Sequence, residues 1–144
     1  MPEKETLERA REDKREGKAP STQAGEFVKE EIEHVREGKH GARSTKQAIA
    51  IGLSKARRAG VELPPPENAS EDTKEQAKRD TRKAKSGKKT SAKRSRASRK
   101  ALKKEGRSAA SKEALSRQAR AAAKKRSAAS RSRSAKKAAK TRKK

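Results

Sequence analysis

Nearly all the large apolar side chains of this chain fall between residues 20 and 63: Phe27, Val28, Ile32, Val35, Ile49, Ile51, Leu53, Val61 and Leu63. A core can only be built where such residues are, so this window holds the folded part. Its spacing is helical. Ala24, Val28, Ile32 and Val35 follow the 3–4 period of one helix face, with Phe27 beside them. Pro20-Ser21-Thr22 suits a helix start and Gly38 a stop. A second helix is signed by Ser44-Thr45-Lys46-Gln47. In such a capping box the serine hydroxyl and the glutamine side chain satisfy each other's unpaired backbone amides. Ala48, Ile49, Gly52, Leu53 and Ala56 form its apolar stripe. Gly60 stands where a left-handed cap residue belongs, and Val61 after it can close on Ala56.

The expected fold is all-α. It is a small two-helix hairpin over about 22–37 and 45–59, followed by a largely disordered, helix-prone basic C-terminal tail. Residues 1–19 form a charged N-terminal helix or arm, with Glu5 and Arg9 spaced for an i,i+4 pair. That helix lacks an apolar face, so fraying is expected. Residues 20–63 are the hairpin, and 64–80 are a polar linker led by Pro64-Pro65-Pro66. Residues 81–144 are the tail. Nine large apolar residues are few for an independent domain, so marginal stability or self-association through the hairpin is expected.

Charge divides the chain more sharply than hydropathy does. Its 144 residues carry 44 Lys+Arg against 19 Asp+Glu, a net +25. Residues 1–80 hold 17 of each sign and sum to zero; residues 81–144 hold 27 bases and two acids, Glu105 and Glu113. All of the net charge therefore lies in the tail. The tail is also rich in Ala and Ser, and Leu102 and Leu115 are its only large aliphatics. With 27% apolar and 44% charged residues overall, the chain is far from the roughly half and quarter of ordinary domains. Low hydrophobicity with high net charge favours disorder.

The segment Ser44-x-Lys46-Gln47-Ala48-Ile49-Ala50-Ile51-Gly52-Leu53-Ser54-x-Ala56-Arg57 resembles the core of an uncharacterised family of small basic bacterial proteins. Some members are labelled plasmid stabilisation proteins and others DNA-binding. The resemblance implies a bacterial origin and a DNA-linked role, and it supplies no catalytic residues. The tail resembles, in composition, the Ala/Lys/Ser-rich tails of linker histones and bacterial histone-like proteins. Inside the tail, Glu105-Gly106-Arg107 echoes Glu37-Gly38-Lys39, and Lys112-Glu113-Ala114-Leu115 echoes Lys46-Gln47-Ala48-Ile49. A degenerate second helix pair near 97–105 and 110–126 would follow, although biased composition produces such echoes by chance. The expectation is a tail mostly disordered when free that gains helix on a nucleic acid.

The chemistry on offer is phosphate contact. Lysine brings a point charge, and arginine can fork two hydrogen bonds onto one phosphate. The candidate contacts are Lys88, Lys89, Lys93, Arg94, Arg96, Arg99, Lys100, Lys103, Lys104, Arg107, Arg117, Arg120, Lys124, Lys125, Arg126, Arg131, Arg133, Lys136, Lys137, Lys140, Arg142, Lys143 and Lys144. Duplex DNA carries one charge per roughly 1.7 Å, so 25 positive charges match about a dozen base pairs. Even about ten contacts would give a salt slope near −9. Single-strand and RNA modules stack bases on aromatics, and Phe27, the only aromatic, belongs to the core stripe. Sequence-independent binding to double-stranded DNA is the expectation. The Arg-Ser repeats at 131–134 and the Ser-Arg pairs at 95–99 keep RNA, or the ribosome, as an alternative. A protein-interaction module tethered to nucleic acid is another.

Secondary contacts fall on or beside the second helix: Arg43, Lys46, Lys55, Arg57 and Arg58. A helix-turn-helix would place them in the major groove. Its short turn and third helix are missing from the pattern, so a plain hairpin is expected. His34 and His40, with Glu30 or Glu33 nearby, match no metal spacing; an exposed helix histidine and a loop histidine are expected. Catalytic, cofactor and metal residues are all expected to be none, and the chain is not expected to be an enzyme. Gly38-Lys39-His40-Gly41 is no phosphate loop. Without cysteine there is no disulfide and no thiolate site. The longest small or apolar run, Ala48–Leu53, is far short of a membrane span. The opening residues show no apolar signal region. A cytoplasmic, nucleoid-associated location is expected, with no membrane insertion.

Overall fold

The computed structural model describes residues 2–65, 69–87 and 91–143. Among them there is no strand, and seven α-helices follow one another: α1 (Lys4–Arg15), α2 (Pro20–Glu37), α3 (Thr45–Arg58), α4 (Glu71–Ser86), α5 (Ala92–Lys103), α6 (Lys112–Lys125) and α7 (Ala128–Arg142). A 3-10 turn, Ser108–Ala110, lies between α5 and α6. None of these helices is long and apolar enough to cross a membrane.

The hairpin of α2 and α3 stands at the centre. The two helices approach so closely that a Cβ added at Gly52 would lie 2.7 Å from the Val28 Cα. Only glycine permits that crossing. The caps follow the sequence pattern, with one change. Ser44 Oγ accepts the Gln47 N–H at 3.1 Å, but Gln47 Oε1 accepts the amide of Arg43, at 2.6 Å, rather than that of Ser44. At the far end Gly60 N–H reaches Arg57 O and Val61 N–H reaches Ala56 O, at 3.1 and 3.0 Å. That is the double bond pattern of a Schellman cap, and Val61 and Ala56 share one apolar cluster.

The expected boundaries of the fold do not hold. A two-helix hairpin with a disordered tail is overturned at three places. First, α1 packs along α2. Ala10 joins Ala24, Phe27, Ala56 and Val61 in one buried cluster, with Leu7 against it. Arg9 also bridges to Glu26 at 3.0 Å as well as to Glu5 at 2.7 Å. Second, the 64–80 segment is not a plain linker. Ser70 caps α4, which runs past residue 80 and buries Ala77 and Asp80 against α3. Third, the tail enters the core. Ala109 and Ala110 are buried with Ile32, Val35, Ala42 and Ala48, and Leu115 packs against them.

Backbone contacts make this third dock specific. Gly41 N–H donates to Leu102 O at 2.8 Å and Ala42 N–H to Gly106 O at 3.1 Å. Thr45 Oγ1 donates to Ala109 O at 2.6 Å, and Arg36 Nε to Ala110 O at 2.9 Å. A Cβ at Gly41 would stand 1.9 Å from Glu105 O, so the loop before α3 can accept the tail only as glycine. Part of the hairpin's apolar face is thus covered within the chain by α1 and the 105–115 segment.

Candidate nucleic-acid interface

Three serines start the three basic helices. Ser91 Oγ accepts the Arg94 N–H at 3.2 Å, Ser111 Oγ that of Ala114 at 3.1 Å, and Ser127 Oγ that of Ser130 at 3.1 Å. Such caps are each worth about 1 kcal/mol, and Ala, Lys and Arg are good helix formers. Together they favour helix against like-charge repulsion, and on α6 Leu115 adds a contact with the core. No residue of α5, α6 or α7 is buried.

The predicted contacts sit on these helices as exposed side chains. On α5 and its cap they are Lys93, Arg94, Arg96, Arg99, Lys100, Lys103 and Lys104; on α6, Arg117, Arg120, Lys124 and Lys125. On α7 and its cap they are Arg131, Arg133, Lys136, Lys137, Lys140, Arg142 and Lys143. Lys88, Lys89 and Lys144 lie outside the described residues. Among the described residues, the ion pair that reaches this region is Arg43–Glu105, at 3.8 Å. The cations of the three helices are therefore not neutralised by carboxylates. Two arginines have structural work instead. Arg107 reaches the Arg36 carbonyl at the end of α2, at 3.5 Å. Arg126 folds onto Ser130, with Nη2 3.0 Å from its hydroxyl, and onto Ser134.

The five secondary contacts divide. Arg43 and Lys46 are exposed. They line a cleft of about 460 Å³ between the start of α3 and the start of α6, whose other wall carries Arg117. Sequence distance hid this meeting of hairpin and tail. The other three have partners within the fold. Lys55 Nζ is bound to the fully buried Glu31 carboxylate. Arg57 is 6% exposed and donates to Leu63 O at 2.8 Å. Burial pushes its guanidinium pKa down, opposed by the nearby Asp80. Arg58 Nε pairs with the buried Asp80 at 3.0 Å. Buried carboxylates need such partners, so α3 uses its last three cations to hold the fold. Lys55 and Arg57 are turned to these partners, whereas Arg58 keeps an exposed side chain beside its own.

The histidines lie on α2 and in the loop after it, as expected, but neither is freely exposed. Their side chains are 14% and 12% exposed, and the rings meet edge to face with centroids 6.0 Å apart. Glu31 lies between them: His40 Nε2 is 3.0 Å from Glu31 Oε2, and His34 Nδ1 is 3.9 Å from Oε1. Glu30, one of the two acids suggested by spacing, instead accepts the Glu3 amide at 2.6 Å. Hydrogen bonds from His34 and Lys39 hold the Glu3 carboxyl below its usual pKa, and Glu37 and Glu3 raise that of Lys39.

Residues 11–67 match a family described as a Family of unknown function (DUF6496). The match takes in the end of α1 and the whole α2–α3 hairpin, including the 44–57 segment, and stops before α4. Neither the curated proteins nor the solved structures include a match to this chain.

Proposed function

We propose that the protein binds nucleic acid, duplex DNA above all, through phosphate contacts from α5, α6 and α7, without reading base sequence. The outcome would be compaction or shielding of bacterial chromosomal or plasmid DNA. The observation that carries this reading is the placement of the charge: +25 in residues 81–144, with the described Lys and Arg of α5, α6 and α7 exposed on capped helices and without carboxylate partners among the described residues. Duplex DNA offers the matching array of phosphates, and release of its counterions supplies the driving force. Phosphates would also remove the repulsion between the helices. The lone aromatic, Phe27, is buried at 1% exposure, which leaves no base-stacking platform and speaks against single-strand recognition.

The test is a salt series with the full chain and a duplex of mixed sequence. The expected result is tight binding at low salt with a log–log slope near −9 or steeper, unchanged when the sequence is scrambled. Equal-length structured RNA competes in a second arm. A shallow slope would overturn the phosphate reading. Preference for the RNA would move it to an RNA or ribosome partner.

A further inference from the structure

Each histidine beside Glu31 has one ring nitrogen tied outward. His40 Nδ1 lies 2.9 Å from the Gly41 carbonyl oxygen. A carbonyl only accepts, so Nδ1 carries the hydrogen. In the neutral ring Nε2 is then a bare lone pair, and it faces Glu31 Oε2 at 3.0 Å. His34 repeats the pattern. Its Nε2 lies 3.2 Å from Glu3 Oε1, an ionised acceptor, which leaves Nδ1 with a lone pair toward the same cluster. Glu31 is fully buried, and with the His40 ring neutral its Oε2 accepts no hydrogen bond. Its Oε1 is held by Lys55. A proton on His40 would satisfy that ring and Oε2 but would leave the His34 Nδ1 lone pair unmatched. One cation would satisfy both rings and the orphan oxygen.

We propose that Glu31 Oε2, His34 Nδ1 and His40 Nε2 form a binding site for a zinc-class divalent cation. Two imidazoles and a carboxylate suit that ion, with water from the partly open side as fourth ligand. Gly41 O and Glu3 are the outer partners that metal-bound histidines need, each fixing tautomer and ring orientation. One ligand atom from each of Glu31, His34 and His40 lies within 4.8 Å of the others. Zn–N distances near 2.0–2.1 Å put tetrahedral donors roughly 3.3 Å apart, so side-chain adjustment of about an ångström closes the site. Glu31 and His34 belong to α2, whereas His40 follows it in the loop to α3. The ion would therefore clamp the turn of the hairpin beside the Gly41 dock.

The full-length, tag-free chain titrated with Co²⁺ reads this directly. Visible absorption of a four-coordinate ion should rise to one equivalent and be displaced by Zn²⁺. Zn²⁺ should raise the melting temperature and a chelator should reverse it. His40→Gln and Glu31→Gln should each weaken binding by more than about 100-fold, and Glu3→Gln by roughly 10-fold. Binding that survives His40→Gln in a folded protein, or no visible band with the wild type, would overturn the site. A second group, Glu3, Glu30 and His34, shares one ligand; retention in H40Q with loss in H34Q would place the ion there instead. Should a variant fail to fold, imidazole proton resonances of the wild type decide. Paramagnetic shifts on both His34 and His40 support the site, and shifts on neither sink it.

Discussion

The first 80 residues and the last 64 hold similar numbers of charged groups for their length and use them differently. In the first region cations and carboxylates meet: Glu31 with Lys55, Asp80 with Arg58, Asp13 with Lys18 at 3.0 Å. Glu31 and Asp80 are fully buried there, so their partners are fixed by the cost of leaving a buried charge unpaired. In the tail the cations stand in water with almost no acid to meet. Net charge thus locates the affinity, whereas pairing decides which cations remain available for a ligand. The boundary between the two regimes is not residue 80. The 102–115 segment belongs to the core by its contacts, although its composition matches the tail.

The largest break in this comparison should come from Phe27, the biggest side chain of the first cluster. Phe27→Ala should cost about 3–5 kcal/mol, much of the stability of a small domain. Melting of the helical signal should shift far down. Low-salt DNA binding should survive, because the tail charges do not depend on that cluster. Loss of both together would show that affinity requires the folded body.

Gly41→Ala tests the joint between the regions. Its new Cβ would drive into the Glu105 carbonyl, and backbone cannot move aside as a side chain end can. A cost of about 2–3 kcal/mol is expected, with faster amide exchange at Gly41 and Ala42, whose bonds to Leu102 and Gly106 would open. Retained protection at these amides would mean that the tail does not dock there. Arg58→Ala comes next. Asp80 would keep only the Gln76 bond at 3.2 Å. Because Arg58 is 41% exposed, the expected loss is discounted to about 1–2 kcal/mol. An unchanged melting point would show α4 held by Ala77 alone.

How much of this could be read from residues depends on what holds each part. The α2–α3 hairpin was legible because its large side chains repeat at helical spacing and its caps use the residues that caps need. The dock of the tail was not. It rests on alanine methyl groups and carbonyl oxygens, and Ala109-Ala110 looks like any other part of an Ala-rich tail. The usable signal was Gly106 between Leu102 and Leu115, a turn flanked by the tail's only large aliphatics. Helix α4 hid for a related reason: its buried face is one alanine and one aspartate. The Ser91, Ser111 and Ser127 caps are hidden among the many serines of the tail. Among the candidate contacts, those on α5–α7 are exposed, while Lys55, Arg57 and Arg58 have partners that only the fold reveals. Glu31 was overlooked beside the histidines because spacing along the helix said nothing of His40 folding back.

The smallest expected effect on stability is the most telling for function. Residues 127–144 contain eight Lys and Arg and no acid, and no residue of α7 is buried. A chain ending at Arg126 keeps +17 and the whole core. Its melting temperature should match that of the full chain, with any difference under about 0.5 kcal/mol. Its DNA affinity should fall, and the salt slope should shrink by up to about 7 if each lost charge had met a phosphate. A slope unchanged by the truncation would confine binding to α5, α6 and the Arg43–Lys46–Arg117 cleft. A lower melting temperature would show that α7 leans on the body after all. Either result redraws the line between the part of the chain that folds on itself and the part that waits for a polyanion.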